Sequence, residues 1–403
     1  MSRLFIADHL AVADMGHNLE VCTRFASLLA PSFSNVLVLA PNVEGQQTKT
    51  TSDVHRVLYY PYLGVNGLPG WRGLSWIRRL YKVMLTAANI PPFVHTRRCA
   101  SRNWRAVFRD YGISSSDVVF LPSADYYGLT SLAEVVRSLP DDRHPSVVAR
   151  FIGVSEQPSY SPLAKGSIYS ALMQLSNDRS FLFMAETLTL KDYLAEQGVD
   201  CVYMPLPLSH DLRQLHQFQV HTIGCLGSAR ADKGYFRINS IVEALRDVSP
   251  SLIFRLQASA DKTHSAYTRV LANYENVRLL PAKLSRQELD EEVVASGILL
   301  LPYDREIYAR RGSAMLEEGT SSGALLVVPE GTGLAREVRH YGNGVVVEGD
   351  GYAESIMKIR GLSKEEIHAR ASASRELYAA AVESGRTTLL KWLNARSYLH
   401  NSR

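Results

Sequence analysis

The 403-residue chain has only four cysteines, Cys22, Cys99, Cys201 and Cys225, and no two of them form a Cys-x-x-Cys pair. That spacing argues against a disulfide framework or a cysteine zinc site, so all four are expected reduced, in or near a core. Long apolar runs are also missing. Segments such as SGILLLPY end far short of the ~18 to 20 residues that span a bilayer. The N-terminal stretch MSRLFIADHLAVAD is interrupted by Asp8 before a signal-peptide core can form; it reads as a first strand, and a cytoplasmic location is expected. There is no internal repeat and no low-complexity tract. Neither Asp-x-Asp nor a His and carboxylate cluster resembling a metal site occurs, so no metal and no cofactor are expected.

What is present is an ordinary globular composition, 46% hydrophobic, with a net charge of +4 that is unevenly spread. From Trp71 to Arg109 there are nine Arg or Lys residues and no Asp or Glu. WRGLSWIRRLYKVML and RRCASRNWRAVFR interleave aromatic and aliphatic residues with these cations. Such segments suit either a helix lying on an anionic bilayer or amphipathic helices packed on the protein; a nucleic-acid face is the weaker reading, as nothing resembles a known binding module.

The length suits two domains of about 150 to 200 residues. RLFIAD, a helical MGHNLEVCTRFASLLA and NVLVLA form a βαβ start, and strand patterns recur at HRVLYYP, DVVFLP, SVVARF, SFLFMA and DCVYMP. A second series follows with HTIGCLGSA, LIFRLQA, NVRLLP, GILLLP and ALLVVP, again separated by helical stretches. The fold class is therefore α/β, with two Rossmann-like domains facing across a cleft. We assign residues 1–205 to an N-terminal acceptor domain, 206–221 to a linker and 222–380 to a C-terminal donor domain. A last helix, 381–403, is free to pack back on the first domain.

Two turns carry chemistry. Gly227-Ser228-Ala-Arg230-Ala-Asp-Lys233-Gly234 follows the first strand of the second domain; its small residues admit a ligand close to the backbone, and Arg230 and Lys233 offer cations to a phosphate. It is neither a Walker loop nor Gly-x-Gly-x-x-Gly, and a purely structural basic turn would look similar. In LPYDREIYARRGSAMLEEGTSSGALLVVPEGTG, Arg310 to Ser313 lies between a strand end and a helix start. Ser313 is the expected N-cap, Gly312 precedes it, and the amides of Ser313, Ala314, Met315 and Leu316 are placed to bind a diphosphate. Helical side chains lean towards the N-terminus, so Glu318 can reach back to the vicinal hydroxyls of a ribose. Glu317, about 100° around the helix, is expected in solvent.

These two pieces resemble the donor half of family 4 retaining glycosyltransferases, which have the GT-B fold. Lys233-Gly234 matches the family's Lys-Gly turn; Glu318 and Gly323 match its second Glu and the glycine that ends the helix. The similarity covers residues 222 to 345 in motif and the rest in architecture. Arg310 stands where the family's first Glu would touch the donor sugar, and Ser228 where it has an Arg, so Arg230 must substitute. The resemblance implies metal-independent transfer with retention from a nucleotide sugar to a saccharide or lipid-linked acceptor, in polysaccharide, lipopolysaccharide or glycolipid biosynthesis. Arg230, Lys233 and Arg310 are then the catalytic candidates, and base recognition by backbone falls near Ala282 to Leu284. Gly16 and His17, after the first strand, and Asp125, in VVFLPSADYYG, fall on the acceptor side. A basic 71–109 surface would bring the enzyme to the inner face of a membrane. Two alternatives stay open: a sugar-nucleotide epimerase of the same fold, distinguishable by epimerisation without acceptor, and a non-catalytic glycan-assembly subunit, distinguishable by failure to bind nucleotide.

Overall fold

Short apolar runs without alternation are what strands buried on both faces require, and two such sheets are present in the computed structural model. It describes residues 2–9, 11, 18–41, 54–58, 92–124, 126–153, 172–208 and 220–401. The first sheet comprises β1 (Arg3–Ala7), β2 (Asn35–Pro41), β3 (Val54–Leu58), β4 (Val118–Leu121), β5 (Ser146–Phe151), β6 (Phe181–Ala185) and β7 (Val202–Tyr203), ordered β3-β2-β1-β4-β5-β6-β7. The second comprises β8 (Thr222–Cys225), β9 (Ile253–Gln257), β10 (Val277–Leu280), β11 (Ile298–Leu300), β12 (Leu325–Pro329) and β13 (Gly344–Val347), ordered β10-β9-β8-β11-β12-β13. Every pairing is parallel. In each sheet the order reverses beside the first strand, which opens a crevice at the C-terminal strand ends.

Helices cover both faces. In the first domain they are α1 (Asn18–Leu29), α2 (Pro92–Tyr111), α3 (Tyr126–Arg137) and α4 (Leu188–Glu196). In the second they are α5 (Ile238–Arg246), α6 (Ser265–Ala272), α7 (Arg286–Val294), α8 (Ala314–Ser322), α9 (Gly333–Tyr341) and α10 (Tyr352–Arg360). Of these, α9 and α10, together with β13, follow the last strand read from the sequence and are not assigned by that reading.

The last helix, α11 (Lys364–Asn401), has 38 residues and serves both domains. Ile367, Tyr378 and Val382 pack into the C-terminal cores, while Leu389 lies in the core beneath β1 and α1. Near its end Arg396 donates to the carbonyls of Arg179 (2.8 Å) and His144 (2.8 Å) in the first domain. The helix thus begins well before residue 381, and one rigid rod joins the two halves.

The second basic stretch forms much of α2, and from Arg98 on its apolar side turns inward. Trp104 is fully buried, edge-on to His9 (5.6 Å) and Phe108 (6.3 Å), and Arg105 pairs with Glu134. That half is spent on the domain core and keeps no apolar face for a bilayer. The first stretch, 71–85, lies outside the described residues, as does most of the linker.

Candidate functional site

The turn after β8 is shaped by two glycines. Gly227 has φ +89°, and a Cβ there would stand 3.3 Å from the Lys233 ammonium and 3.6 Å from Met315. Gly234, φ +72°, caps the one-turn 3-10 helix Ala231–Lys233. A Cβ at Gly234 would lie 1.9 Å from the Pro302 carbonyl oxygen. Only glycine fits, in conformation and in space, and this close approach aims Lys233 back at the crevice.

The same crevice, between the ends of β8 and β11, therefore holds Gly227, Ser228, Arg230, Lys233 and Tyr303, and the N-terminus of α8 adjoins it. The Lys233 ammonium sits over the Tyr303 ring at 5.5 Å. The Tyr303 hydroxyl meets Ser313 Oγ at 3.2 Å, and Ser313 in turn caps α8 by accepting from the Met315 amide at 3.2 Å. Burial pushes the Lys233 ammonium below its ordinary pKa, partly opposed by Tyr308 and Asp232. Lys233 forms no ion pair among the described residues. Arg230 is forked onto Asp232 (2.9 and 2.7 Å) and reaches the Tyr308 hydroxyl at 3.2 Å. Of the four α8 amides, those of Met315 and Leu316 are satisfied by Ser313, through its Oγ and its carbonyl. Those of Ser313 and Ala314 have no partner among the described residues.

The turn ahead of α8 is clasped by the other domain. Glu186, just past β6, accepts from the Gly312 amide at 3.1 Å and from the buried Arg150 at 3.2 Å. Thr187 donates to the Arg310 carbonyl at 2.6 Å. The Arg310 guanidinium lies 3.6 Å over the Tyr193 ring of α4. Glu186 was not singled out in the sequence, although a polar residue directly after an apolar strand of an open sheet is a positional signal of a cleft residue.

Glu318 is 2% exposed and lies one turn into α8. Arg286, the first residue of α7, grips it with two bonds (2.6 and 2.8 Å), and Arg24 of α1 adds a third at 2.7 Å. The expectation that Glu317 is solvated is overturned: it is 1% exposed, paired with Arg24, and accepts from the Ser321 hydroxyl. α8 is enclosed by α7, β12 and α11, with Arg24 of α1 reaching its two glutamates, and Met315–Ser322 is buried throughout. Burial, with the adjacent Glu318 charge, raises the Glu317 pKa against the pull of Arg24. Arg24 itself stays charged: burial opposes this, but Glu317, Glu318 and Glu20 outweigh it. No spacing rule predicts Arg24 or Arg286 as partners.

Leu284 is half-buried against the core beside α8, and the nearby Ala282 carbonyl accepts from the Gln257 side chain at 3.0 Å. Gly16, His17 and Asp125 lie outside the described residues.

Two parallel Rossmann-like domains, one behind the other in the chain, with a crevice at the C-terminal strand ends define the GT-B fold of glycosyltransferases. Among solved structures, the chain resembles α,α-trehalose 6-phosphate synthase from Burkholderia multivorans, with TM-score 0.66 and 13% identity over 99% of this chain and 100% of that one. Sucrose-phosphate synthase from Thermosynechococcus elongatus gives TM-score 0.60 and 12% identity over 100% and 99%. A UDP-forming α,α-trehalose-phosphate synthase from Burkholderia xenovorans, in complex with glucose-6-phosphate, gives 0.66 and 13% over 97% and 100%. No family model and no curated protein matches the sequence. Among the described residues no helix is long and apolar enough to cross a membrane.

Proposed function

We propose that this chain is a glycosyltransferase that moves a sugar from a nucleotide-sugar donor to a saccharide or lipid-linked acceptor, with retention and without a metal. The observation that carries the proposal is Lys233: a cation drawn into the crevice with no ion pair among the described residues, beside the close-approach glycine Gly227. A diphosphate fits that vacancy of charge, and it would bring the ammonium back towards its ordinary pKa. The unpartnered amides of Ser313 and Ala314 add the partial positive charge of a helix start. A fold neighbour described as bound with UDP-2-fluoro glucose supports the same donor class.

In this reading the acceptor attacks from the face that the diphosphate leaves. Lys233, Arg230 and the α8 amides stabilise the departing charge, and losing one such group costs roughly 10²-fold or more in rate. Arg310, over the Tyr193 ring at the clasp between the domains, is the residue this reading puts near the donor sugar. Glu318 holds the ribose. A carboxylate accepts about four hydrogen bonds, and Arg286 and Arg24 occupy three of them, so one ribose hydroxyl at most can join without displacing a guanidinium. That saturation also favours a second reading, a non-catalytic glycan-assembly subunit with the same fold. Any contact with an anionic membrane, on the cytoplasmic side, would run through the basic 71–109 stretch, in whose described part Arg98, Arg102, Arg105 and Arg109 are exposed while the apolar side is buried.

Thermal shifts of wild type and Lys233→Ala with UDP, GDP, ADP, CDP and dTDP test the donor site. Stabilisation by one nucleotide, lost in the variant, is expected and names the base for transfer assays. No shift with any nucleotide would overturn the donor site and leave the subunit reading.

A further inference from the structure

Glu186 directly follows β6, at the C-terminal edge of the first sheet, and meets the turn ahead of α8 in the other domain. Its direction is set by a guanidinium that cannot turn. Arg150, near the end of β5, is 1% exposed and donates to the Met204 carbonyl (2.7 Å), the Pro122 carbonyl (3.0 Å) and Glu186 (3.2 Å), while lying 5.3 Å over the Phe25 ring of α1. A carboxylate oriented in this way is preorganised before any ligand arrives.

The fit against the second domain is close. The Gly312 amide donates to Glu186 at 3.1 Å, and a Cβ at Gly312 would stand 2.6 Å from the carboxylate. The space beside residue 312 is thus filled by an acid from the opposite domain. Arg150 takes one bond on Oε1 and Gly312 one on Oε2. Of the about four bonds a carboxylate can accept, the other two have no partner among the described residues. Glu318 differs on both counts: its side chain is 3% exposed and takes three guanidinium bonds, whereas that of Glu186 is 17% exposed.

The order of these groups along the chain gives Glu186 its place. Glu318 lies one turn into α8, the unpartnered amides of Ser313 and Ala314 stand at the helix start, and Gly312 with Glu186 comes one residue ahead of them. A nucleotide with its ribose at Glu318 and its diphosphate at those amides directs whatever its distal phosphate carries towards Glu186. A bare terminal phosphate meets like charge there. Neutral hydroxyls meet a fixed acceptor.

We infer that Glu186 binds the hydroxyls of the donor sugar, so that the second domain holds the nucleotide half of the donor and the first domain reads the sugar. The inference rests on the donor reading above and adds to it a sugar-binding residue from the other side of the cleft.

Calorimetric titration of the full chain with UDP, GDP, ADP, CDP and dTDP, each beside its glucose conjugate, tests the inference. Wild type is expected to bind one such pair. Glu186→Gln should weaken the glucose conjugate about tenfold, the effect of one hydrogen bond to a charged group, while the bare diphosphate binds as in wild type or more tightly. Glu186→Asp, whose carboxylate is one methylene shorter, should show the same selective loss and serves if the glutamine variant does not fold. Thr187→Val removes the neighbouring bond to the Arg310 carbonyl and loosens the same clasp with the Glu186 carboxylate intact, so it should keep the wild-type ratio of the two affinities. The inference alone falls if wild type binds a diphosphate but not its conjugate, if the Glu186 variants weaken both ligands alike or neither, or if Thr187→Val reproduces the selective loss. Failure of all ten ligands to bind wild type would overturn the donor reading, and this inference with it.

Discussion

Glu337 of α9 is 2% exposed and sits where the two domains meet. Its carboxylate accepts from the Leu188 amide at 2.8 Å and from the Tyr203 hydroxyl, both in the first domain, and Tyr203 also meets Tyr341. Burial pushes its pKa from 4.5 to about 7, against the Tyr203 and Leu188 hydrogen bonds; Glu186 adds to the rise and Arg336 opposes it. A carboxyl whose folded pKa lies above its unfolded value contributes stability that is fully present below about pH 4.5 and lost as pH rises through about 7. The difference corresponds to about 3 kcal/mol, most of it between pH 5 and 8. Glu337→Gln keeps the shape, cannot ionise, and can still accept from Leu188 while its amide donates to a tyrosine oxygen. The variant should therefore gain on wild type as pH rises, by up to about 3 kcal/mol at pH 8, read as a Tm advantage of a few degrees that shrinks towards pH 5. Burial moves the Tyr203 and Tyr341 hydroxyls further above this window, and Glu317, which shifts the same way as Glu337, contributes its own slope to both proteins, so the comparison is between the two profiles. Parallel Tm profiles for wild type and variant from pH 5 to 8 would refute the reasoning.

Gly234→Ala should fail to fold or lose several kcal/mol, because it forces both an unfavourable φ and a clash with the Pro302 backbone; a soluble variant with wild-type Tm would contradict this. Arg24→Ala removes the cation paired with Glu317, which is 1% exposed, and leaves Glu318 to Arg286 alone; it is expected to lower stability by a few kcal/mol, roughly the cost of breaking a buried ion pair. Denaturation of the double variant Arg24→Ala, Glu317→Gln should recover part of that loss. Of the two anions that Arg286 and Arg24 share, Glu20 and Glu318, Glu318→Ala removes the buried one, so it should lower Tm in the absence of any ligand; this is why Lys233, and not Glu318, is the residue to change when nucleotide binding is measured.

The legible parts of the candidate site were local. Lys233-Gly234 lies on one turn, Ser313 caps the helix that begins after it, and Gly323 ends that helix in the left-handed conformation, φ +80°. Each follows from residues within a few positions of one another. The state of Glu317 did not, since helical geometry says how far apart two side chains point but not what covers each direction. Likewise the aromatic and basic pattern of 98–109 was compatible with a bilayer or a core, and the packing of Trp104 decided for the core.

What the sequence by itself determined was the alternation of short apolar strands with helices. Parallel strands covered on both faces need unbroken apolar runs, and this points to two Rossmann-like domains before any contact is known. What only the tertiary structure decided was which charges meet. Arg24 and Glu318 are 294 positions apart, and Glu186 and Gly312 are 126. Such pairs leave no period in the chain, because they are made by the way the two domains close on each other.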